Sequence, residues 1–543
     1  MRKFKKIMAA ATAAVMTLAM TVSAFADPAP TGTITTTDEH TYEVYQLIKA
    51  DIGTDGKVSN AIWGKAGKGI EDQEVSADII SALSGTTGEA NILSYVNDNV
   101  WDTTKAKTGD VTKESSLNVP TGYYLIKDVT ELTEGDAANL HVIQVVSTSE
   151  FTIASKKDAP EVSKTVKENS TNSYGKTADY SIGEEIPFRL VGTLPDTENY
   201  ARYSAYKYTF TDEATNMSIL SDSVTVKVYA KTDDTFSNAI KTITPDTKKV
   251  TSISGGTNNK LEVGINNTKA TGVAITSDQV IVVEYNAVLT GTATIGGNGN
   301  PNKVKLTYSS NPNTGGEGDT TDTPDDYAFV FTYNPVFTKV NSATNAPISG
   351  INFTLQNADG KYAKVADGKV VSWAAATDLG FDVEDYKIAT DANGKIDVKG
   401  LDAGTYTLTE ALTETQLGNY LQLAPFTFTI TAEIVANPTQ IATNPLDDYV
   451  VKNDFAITAS NTTAVDRNKA VKTNTEGENT TYTLIGANAD PTNGTVNAVI
   501  KNTPKSSLPT TGGIGTKLFY IVGGAMMFAA AALLVVKKLR RNA

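Results

Sequence analysis

The 543-residue sequence contains no cysteine, only two histidines, His40 and His141, and three tryptophans. Without cysteine, disulfides, thiolate metal sites and thiol nucleophiles are excluded together. With two histidines, acid–base and metal chemistry lose their usual side chain. No nucleophile elbow, H-E-x-x-H or Walker-type glycine loop occurs either, so the sequence predicts neither metal nor cofactor and disfavours a hydrolase. A glycosidase built on paired carboxylates needs no motif, but a chain of small sandwiches without a loop-bearing barrel is a poor setting for one. What is present is 40% hydrophobic and 20% charged residues, enough to fold about three domains. Abundant Thr, Asn, Gly, Val and Tyr with few long helical patterns predict extended β-structure punctuated by polar turns.

The two ends differ from the rest. Arg2, Lys3, Lys5 and Lys6 precede an apolar run from Ile7 to Val22 and the small-residue site Ala24-Phe25-Ala26. This is the layout of a secretory signal cleaved after Ala26. Near the other end, Leu508-Pro509-Thr510-Thr511-Gly512 precedes the apolar stretch Leu518 to Val536 and the cations Lys537, Lys538, Arg540 and Arg541. That stretch just suffices to span a bilayer, with the basic tail held in the cytoplasm. The order of parts resembles the LPXTG cell-wall sorting signal of Gram-positive bacteria. The resemblance implies that a sortase cysteine attacks the Thr511 carbonyl, expels Gly512 onward and passes the acyl group to an amine.

Removal of 1–26 and 512–543 takes away nine basic residues and no acidic ones, leaving 485 residues with 38 basic against 61 acidic side chains and a net charge near −23. So acidic a surface argues against nucleic acid and anionic membrane as partners.

Between the ends, strand patterns punctuated by turns divide the chain into three units. The first, 27–158, carries strands at Thr41–Ile48, Gly122–Ile126 and Leu140–Val146, with short helices at Ser76–Leu83 and Ala90–Val96. A polar run closed by Pro160 bounds it. The second, 159–334, starts with Val162–Val166, continues through Ile186–Val191, the aromatic run Tyr203–Phe210, Val224–Val228 and Lys305–Tyr308, and passes a disordered-looking acidic loop, Gly315–Asp326, before a strand at Tyr327–Tyr333. The third, 335–507, holds strands at Val336–Val340, Asn352–Leu355, Thr405–Thr409, Phe426–Ile430 and Val496–Lys501; the sorting segment 508–543 follows. The expected fold is mainly β, three tandem immunoglobulin-like sandwiches with an N-terminal signal and a C-terminal transmembrane helix.

Val336–Leu355 (VFTKVNSATNAPISGINFTL) and Gly400–Glu410 (GLDAGTYTLTE) resemble the collagen-adhesin B-type repeat. With Thr41–Ile48, Gly122–Ile126 and the two processing signals, the chain as a whole resembles the LPXTG-anchored major pilins. In such domains a first-strand Lys is joined to a last-strand Asn by an intramolecular isopeptide bond assisted by a buried acid. The chemistry needs a neutral amine and a protonated carboxyl, and an apolar core favours both. The resemblance points to Lys339, Glu410 and Asn502 in the third unit, with Glu414 and Asn497 as competing positions. Alternation places Lys339 on the same face as Phe337. In the second unit it points to Lys164, Asp212 and Asn311, with Asn313 competing. In the first unit GYYLIKD replaces the Tyr-x-Leu-x-Glu pattern, and no bond is expected. The lysine that joins subunits is sought at Lys156 or, alternatively, Lys157, although Ser155 stands where the family has proline.

The function implied is a structural pilus backbone, not an enzyme beyond its own cross-linking. Its expected partners are pilin-specific and housekeeping sortases, identical subunits, peptidoglycan, accessory pilins and an adhesion receptor, with no nucleic acid. The competing reading is a monomeric wall-anchored adhesin.

Overall fold

The computed structural model describes residues 31–52, 57–153, 159–253, 259–314, 319–436, 446, 448–451, 456–460, 471–476, 479–484, 489–490, 493–505 and 514–541. Ala26, Lys156, Lys157 and the pentapeptide Leu508 to Gly512 lie outside the described residues.

The first unit is built on a five-stranded sheet buried on both faces. Its strands run Val58–Trp63, Tyr42–Ile52, Gly122–Asp128, Leu140–Val145, with Gly109–Val111 also on Tyr42–Ile52. Period-two alternation explains how one strand serves two cores. Tyr124 and Ile126 face the small sheet Leu117–Pro120, Thr31–Thr36, Glu150–Ile153. Leu125 points the other way, to Ile80, Leu93 and Val96 of the helices Ala77–Gly85 and Glu89–Asn99.

The second unit is a sandwich of two seven-stranded sheets. One contains Val162–Lys167, Glu185–Gly192, Gln279–Leu289 and Thr225–Ala230; the other contains Asp326–Phe331, Asn300–Ser309, Tyr208–Ala214 and Lys260–Ile265. Inward residues alternate with outward ones: Phe188 and Leu190 against Arg189, Val304 and Leu306 against Lys303 and Lys305. The acidic stretch expected to be structureless is partly ordered. Thr320–Asp322 adds an edge strand to Asn300–Ser309, where Asp322 takes Lys305 as an ionic partner. The aromatic run is strand only from Tyr208; Tyr200, Tyr203 and Tyr206 precede it as edge-packed rings.

In the third unit the first strand, Asn334–Asn341, lies parallel to the last, Thr495–Asn502, with Lys339 opposite Ile500. A second sheet, with Asn352–Gln356, Gly404–Ala411 and Phe426–Thr431 at its centre, covers their inner face. The second and third units share one continuous apolar core. Their backbones are laced together: Ile182 N–H donates to Gly400 O at 2.9 Å, and Tyr333 N–H to Leu401 O at 2.7 Å. Gly400 has φ +94°, and a Cβ there would stand 2.4 Å from Ile182 Cδ1, so this turn requires glycine.

Candidate cross-linking sites

The third-unit site is set by a strand pair and its facing sheet. Phe337 and Lys339 share the inner face of Asn334–Asn341, and both are buried. Lys339 is 0% exposed, as is Asn502 at the end of the neighbouring strand. Glu410 reaches them from the opposite sheet. Its Oε1 lies 3.5 Å from Lys339 Nζ and accepts from Asn502 Nδ2 at 3.0 Å, while its Oε2 accepts from Leu423 N–H at 2.9 Å. Loss of water around the amine lowers the Lys339 pKa to about 8, against the pull of the Glu410 charge. The three residues are thus together and dry. The competing positions are elsewhere: Glu414 begins the exposed helix Glu414–Asn419, and Asn497 is on the outer face of its strand.

The middle site joins the two sheets of its sandwich. Lys164, on Val162–Lys167, is fully buried and pairs closely with Asp212 Oδ2 on the facing Tyr208–Ala214 strand. Tyr285, on Gln279–Leu289, lies between them. Its hydroxyl accepts from Lys164 Nζ at 2.9 Å and from Asn302 Nδ2 at 2.8 Å, and donates to Asp212 Oδ1 at 2.8 Å. Burial lowers the Lys164 pKa to about 8 and raises that of Asp212, each displacement favouring the neutral form.

The expected asparagine of this unit is corrected. Asn311 lies past the end of its strand and donates to Asp319 Oδ2 at 2.7 Å, away from Lys164. Asn313 turns towards the first unit, donating to Asp128 O at 3.3 Å. The asparagine at the site is Asn302, fully buried near the start of Asn300–Ser309. The pattern Asn302-x-Val304-x-Leu306-x-Tyr308 with Lys303, Lys305 and Thr307 between carried this signal, since alternation puts Asn302 on the core face. Tyr285 was missed because a tyrosine in an apolar strand reads as core.

The first unit holds a different polar centre. His40 is buried between two carboxylates, Nδ1 at 2.7 Å from Asp128 Oδ2 and Nε2 at 3.0 Å from Asp136 Oδ2. The hydrogen bond to Asp128 leads in raising its pKa to about 9, so the ring is an imidazolium donating from both nitrogens at neutral pH. The loop it braces carries the junction to the middle unit: Ala138 N–H donates to Ser310 O at 2.8 Å, and Tyr308 O–H to Asp136 O at 2.9 Å. Among the described residues, no group of three or more His, Asp or Glu side chains is arranged to hold a metal ion.

Beyond the last sandwich, the helix Ile514–Arg541 contains the 19-residue apolar window Tyr520–Lys538, of mean hydropathy 1.9 and long enough to cross a membrane. Residues 500–542 match the LPXTG cell wall anchor motif family, and residues 334–444 match the SpaA family of prealbumin-like fold domains. The chain is therefore a cell-wall-anchored, multidomain β protein of the Gram-positive surface, exported as a precursor held transiently in the membrane. It is similar to the trypsin-resistant surface T6 protein of Streptococcus pyogenes serotype M6, with 25% identity over 275 residues, 47% of this chain and 48% of that protein. The chain thus matches about half the length of this curated relative. Among the solved structures that resemble it at low identity are two pilins. The T6 backbone pilin of serotype M6 S. pyogenes has TM-score 0.48 and 15% identity over 88% of this chain and 100% of that one. The major pilin SpaD of Corynebacterium diphtheriae has TM-score 0.43 and 12% identity over 88% and 98%.

Proposed function

We propose that this chain is the backbone subunit of a sortase-assembled surface pilus, with internal isopeptide bonds Lys339–Asn502 and Lys164–Asn302. The observation that carries the reading is one chain combining a wall anchor with two fully buried Lys–acid–Asn clusters. A buried amine and carboxyl have no structural advantage over apolar packing, but they have the right form for amide exchange. In each unit Nζ attacks the asparagine Cγ, the Nζ–Cγ bond forms and the Cγ–Nδ2 bond breaks. The lysine ammonium and asparagine amide become a secondary amide and ammonium, with Glu410 or Asp212 carrying protons.

Assembly then uses the LPTTG segment: a sortase forms an acyl-enzyme at Thr511, releases Gly512 onward, and transfers Thr511 to Lys156 or Lys157 of the next subunit, or to peptidoglycan at the base. The relative's description as trypsin-resistant fits a sandwich whose ends are covalently joined. Domain limits of 27–158, 159–334 and 335–507 place each proposed tie within one unit.

Intact mass of the secreted 27–511 chain tests the ties. It should lie two ammonias below the sequence mass, and an unmodified mass refutes both. Changing both Lys156 and Lys157 to Ala separates pilin from adhesin: the high-mass ladder on denaturing gels should vanish. A ladder that persists refutes these lysines as acceptors, and a wild-type chain that never forms one favours the monomeric adhesin.

A further inference from the structure

Resting on the reading of Lys164 and Asn302 as a cross-linking pair, we propose that Tyr285 is a catalytic residue of the middle unit, relaying protons between amine, acid and leaving nitrogen. The two clusters differ in one respect. In the third unit Glu410 meets the asparagine amide directly at 3.0 Å. In the middle unit the phenol oxygen of Tyr285 stands between Asp212 and Asn302, bonded to each at 2.8 Å and to Lys164 Nζ at 2.9 Å.

A phenol hydroxyl has one proton to give and two lone pairs to receive. At Tyr285 both capacities are used, and every partner is a group whose proton count changes in the reaction. Tyr285 is 2% exposed, and its ring stacks on Phe188 with centroids 5.4 Å apart and planes 17° apart, so the hydroxyl is held in place without water.

The relay runs in two shifts. In the first, an Nζ proton passes to the phenol oxygen as the phenol proton passes to Asp212 Oδ1, leaving a neutral amine and a neutral acid. Nζ then attacks Cγ of Asn302, giving a tetrahedral adduct whose still-protonated Nζ stays in close contact with Asp212 Oδ2. In the second shift the hydroxyl turns to Nδ2, which gains a lone pair in the tetrahedral adduct. The Oδ1 proton returns to the phenol as the phenol proton moves to Nδ2, and the Cγ–Nδ2 bond breaks. As ammonia leaves, Asp212, a carboxylate again, takes the second Nζ proton on Oδ2 and hands it to the ammonia, so the products are the amide and ammonium, and Tyr285 and Asp212 end as they began. Two protons leave Nζ and two arrive on the departing nitrogen; no oxidant or co-reactant is required.

The experiment follows intact mass against time for the 27–511 chain made by cell-free synthesis, comparing wild type, Lys164→Ala, Tyr285→Phe and Tyr285→His. Wild type should lose two ammonias and Lys164→Ala one; equal losses in these two refute the cross-link itself, independently of the phenol. Tyr285→Phe should lose the third-unit ammonia at the wild-type rate and the middle-unit ammonia about 100-fold more slowly, the usual scale of a lost acid–base group. Tyr285→His restores a proton-carrying atom and should run faster than Tyr285→Phe. Wild-type timing in Tyr285→Phe, or no difference between the Phe and His variants, overturns the proposal. Melting of Lys164→Ala with and without Tyr285→Phe reads the packing cost of the lost hydroxyl where no bond can form.

Discussion

Replacing Lys339 with Met keeps the buried stem but removes the amine, so the third unit can fold and cannot be tied. A bond from 339 to 502 closes a loop of about 160 residues, and its absence returns about 5 kcal/mol of chain entropy to the unfolded state. The lost polar contact is the smaller matter, because in the tied chain Nζ is an uncharged amide nitrogen, and in Lys339→Met the Glu410 carboxyl still accepts from Asn502 Nδ2 and Leu423 N–H. For a unit of this size each kcal/mol moves the midpoint by about 2–4 °C, so its transition should fall by about 10–20 °C. Scanning calorimetry on the 27–511 chain reads the shift, and mass spectrometry on the same sample should show one ammonia fewer lost. A Lys339→Met chain with the wild-type ammonia loss refutes the assignment of the amine. One that keeps its ammonia but melts within about 3 °C of wild type refutes the loop-closure argument.

Asn302→Ala should cost one ammonia loss and Asn311→Ala none, by intact mass; the reverse outcome returns the middle tie to the position expected from sequence. Glu410→Gln keeps the shape of the third site but cannot take up a proton, and should leave Lys339 and Asn502 unlinked in a folded unit, a result that tryptic mapping of the 339–502 pair would show. Gly400→Ala puts a methyl against Ile182 at φ +94°, which should cost about 1–3 kcal/mol and separate the calorimetric transitions of the second and third units. For His40 the folded pKa of about 9 exceeds the ordinary 6.5, so its contribution is complete below about pH 6.5 and is lost as pH rises through 9. Hydrogen exchange in the 129–139 loop should therefore accelerate between pH 8 and 10, corrected for intrinsic rates, in wild type but not in His40→Gln.

Much of the fold was legible because alternation is a local signal. Phe337 and Lys339 share a face whatever the rest of the chain does, and Tyr42–Ile52 and Gly122–Asp128 read as strands from their own residues. The third-unit site was legible for the same reason, its lysine and asparagine sitting on first and last strands as the resemblance implies. The middle site was only half legible. Its lysine and acid lie on well-patterned strands, but which asparagine faces them depends on how Asn300–Ser309 pairs with Tyr208–Ala214, where Asn302 stands opposite Ala214. That register is a long-range fact. His40 lies 88 and 96 residues from Asp128 and Asp136, and each is ordinary alone, so nothing local announced their meeting.

The position of Asn302, near the start of its strand with two further strands of the sandwich after it, gives the two proposed ties different mechanical consequences. In the third unit the span from 339 to 502 leaves almost no folded chain outside the bond, so a pull along the fibre finds nothing to unravel. In the middle unit a bond from 164 to 302 shields the residues between but leaves 303–333 in series with the load. Those residues include the strand Asp326–Phe331 and the loop that meets the first unit through Ser310. Drawn out at about 3.4 Å per residue, the segment reaches about 100 Å end to end, and its gain in length per subunit is that less its folded span. A tether made of such subunits would stretch and recoil at one defined place, with its covalent path intact throughout.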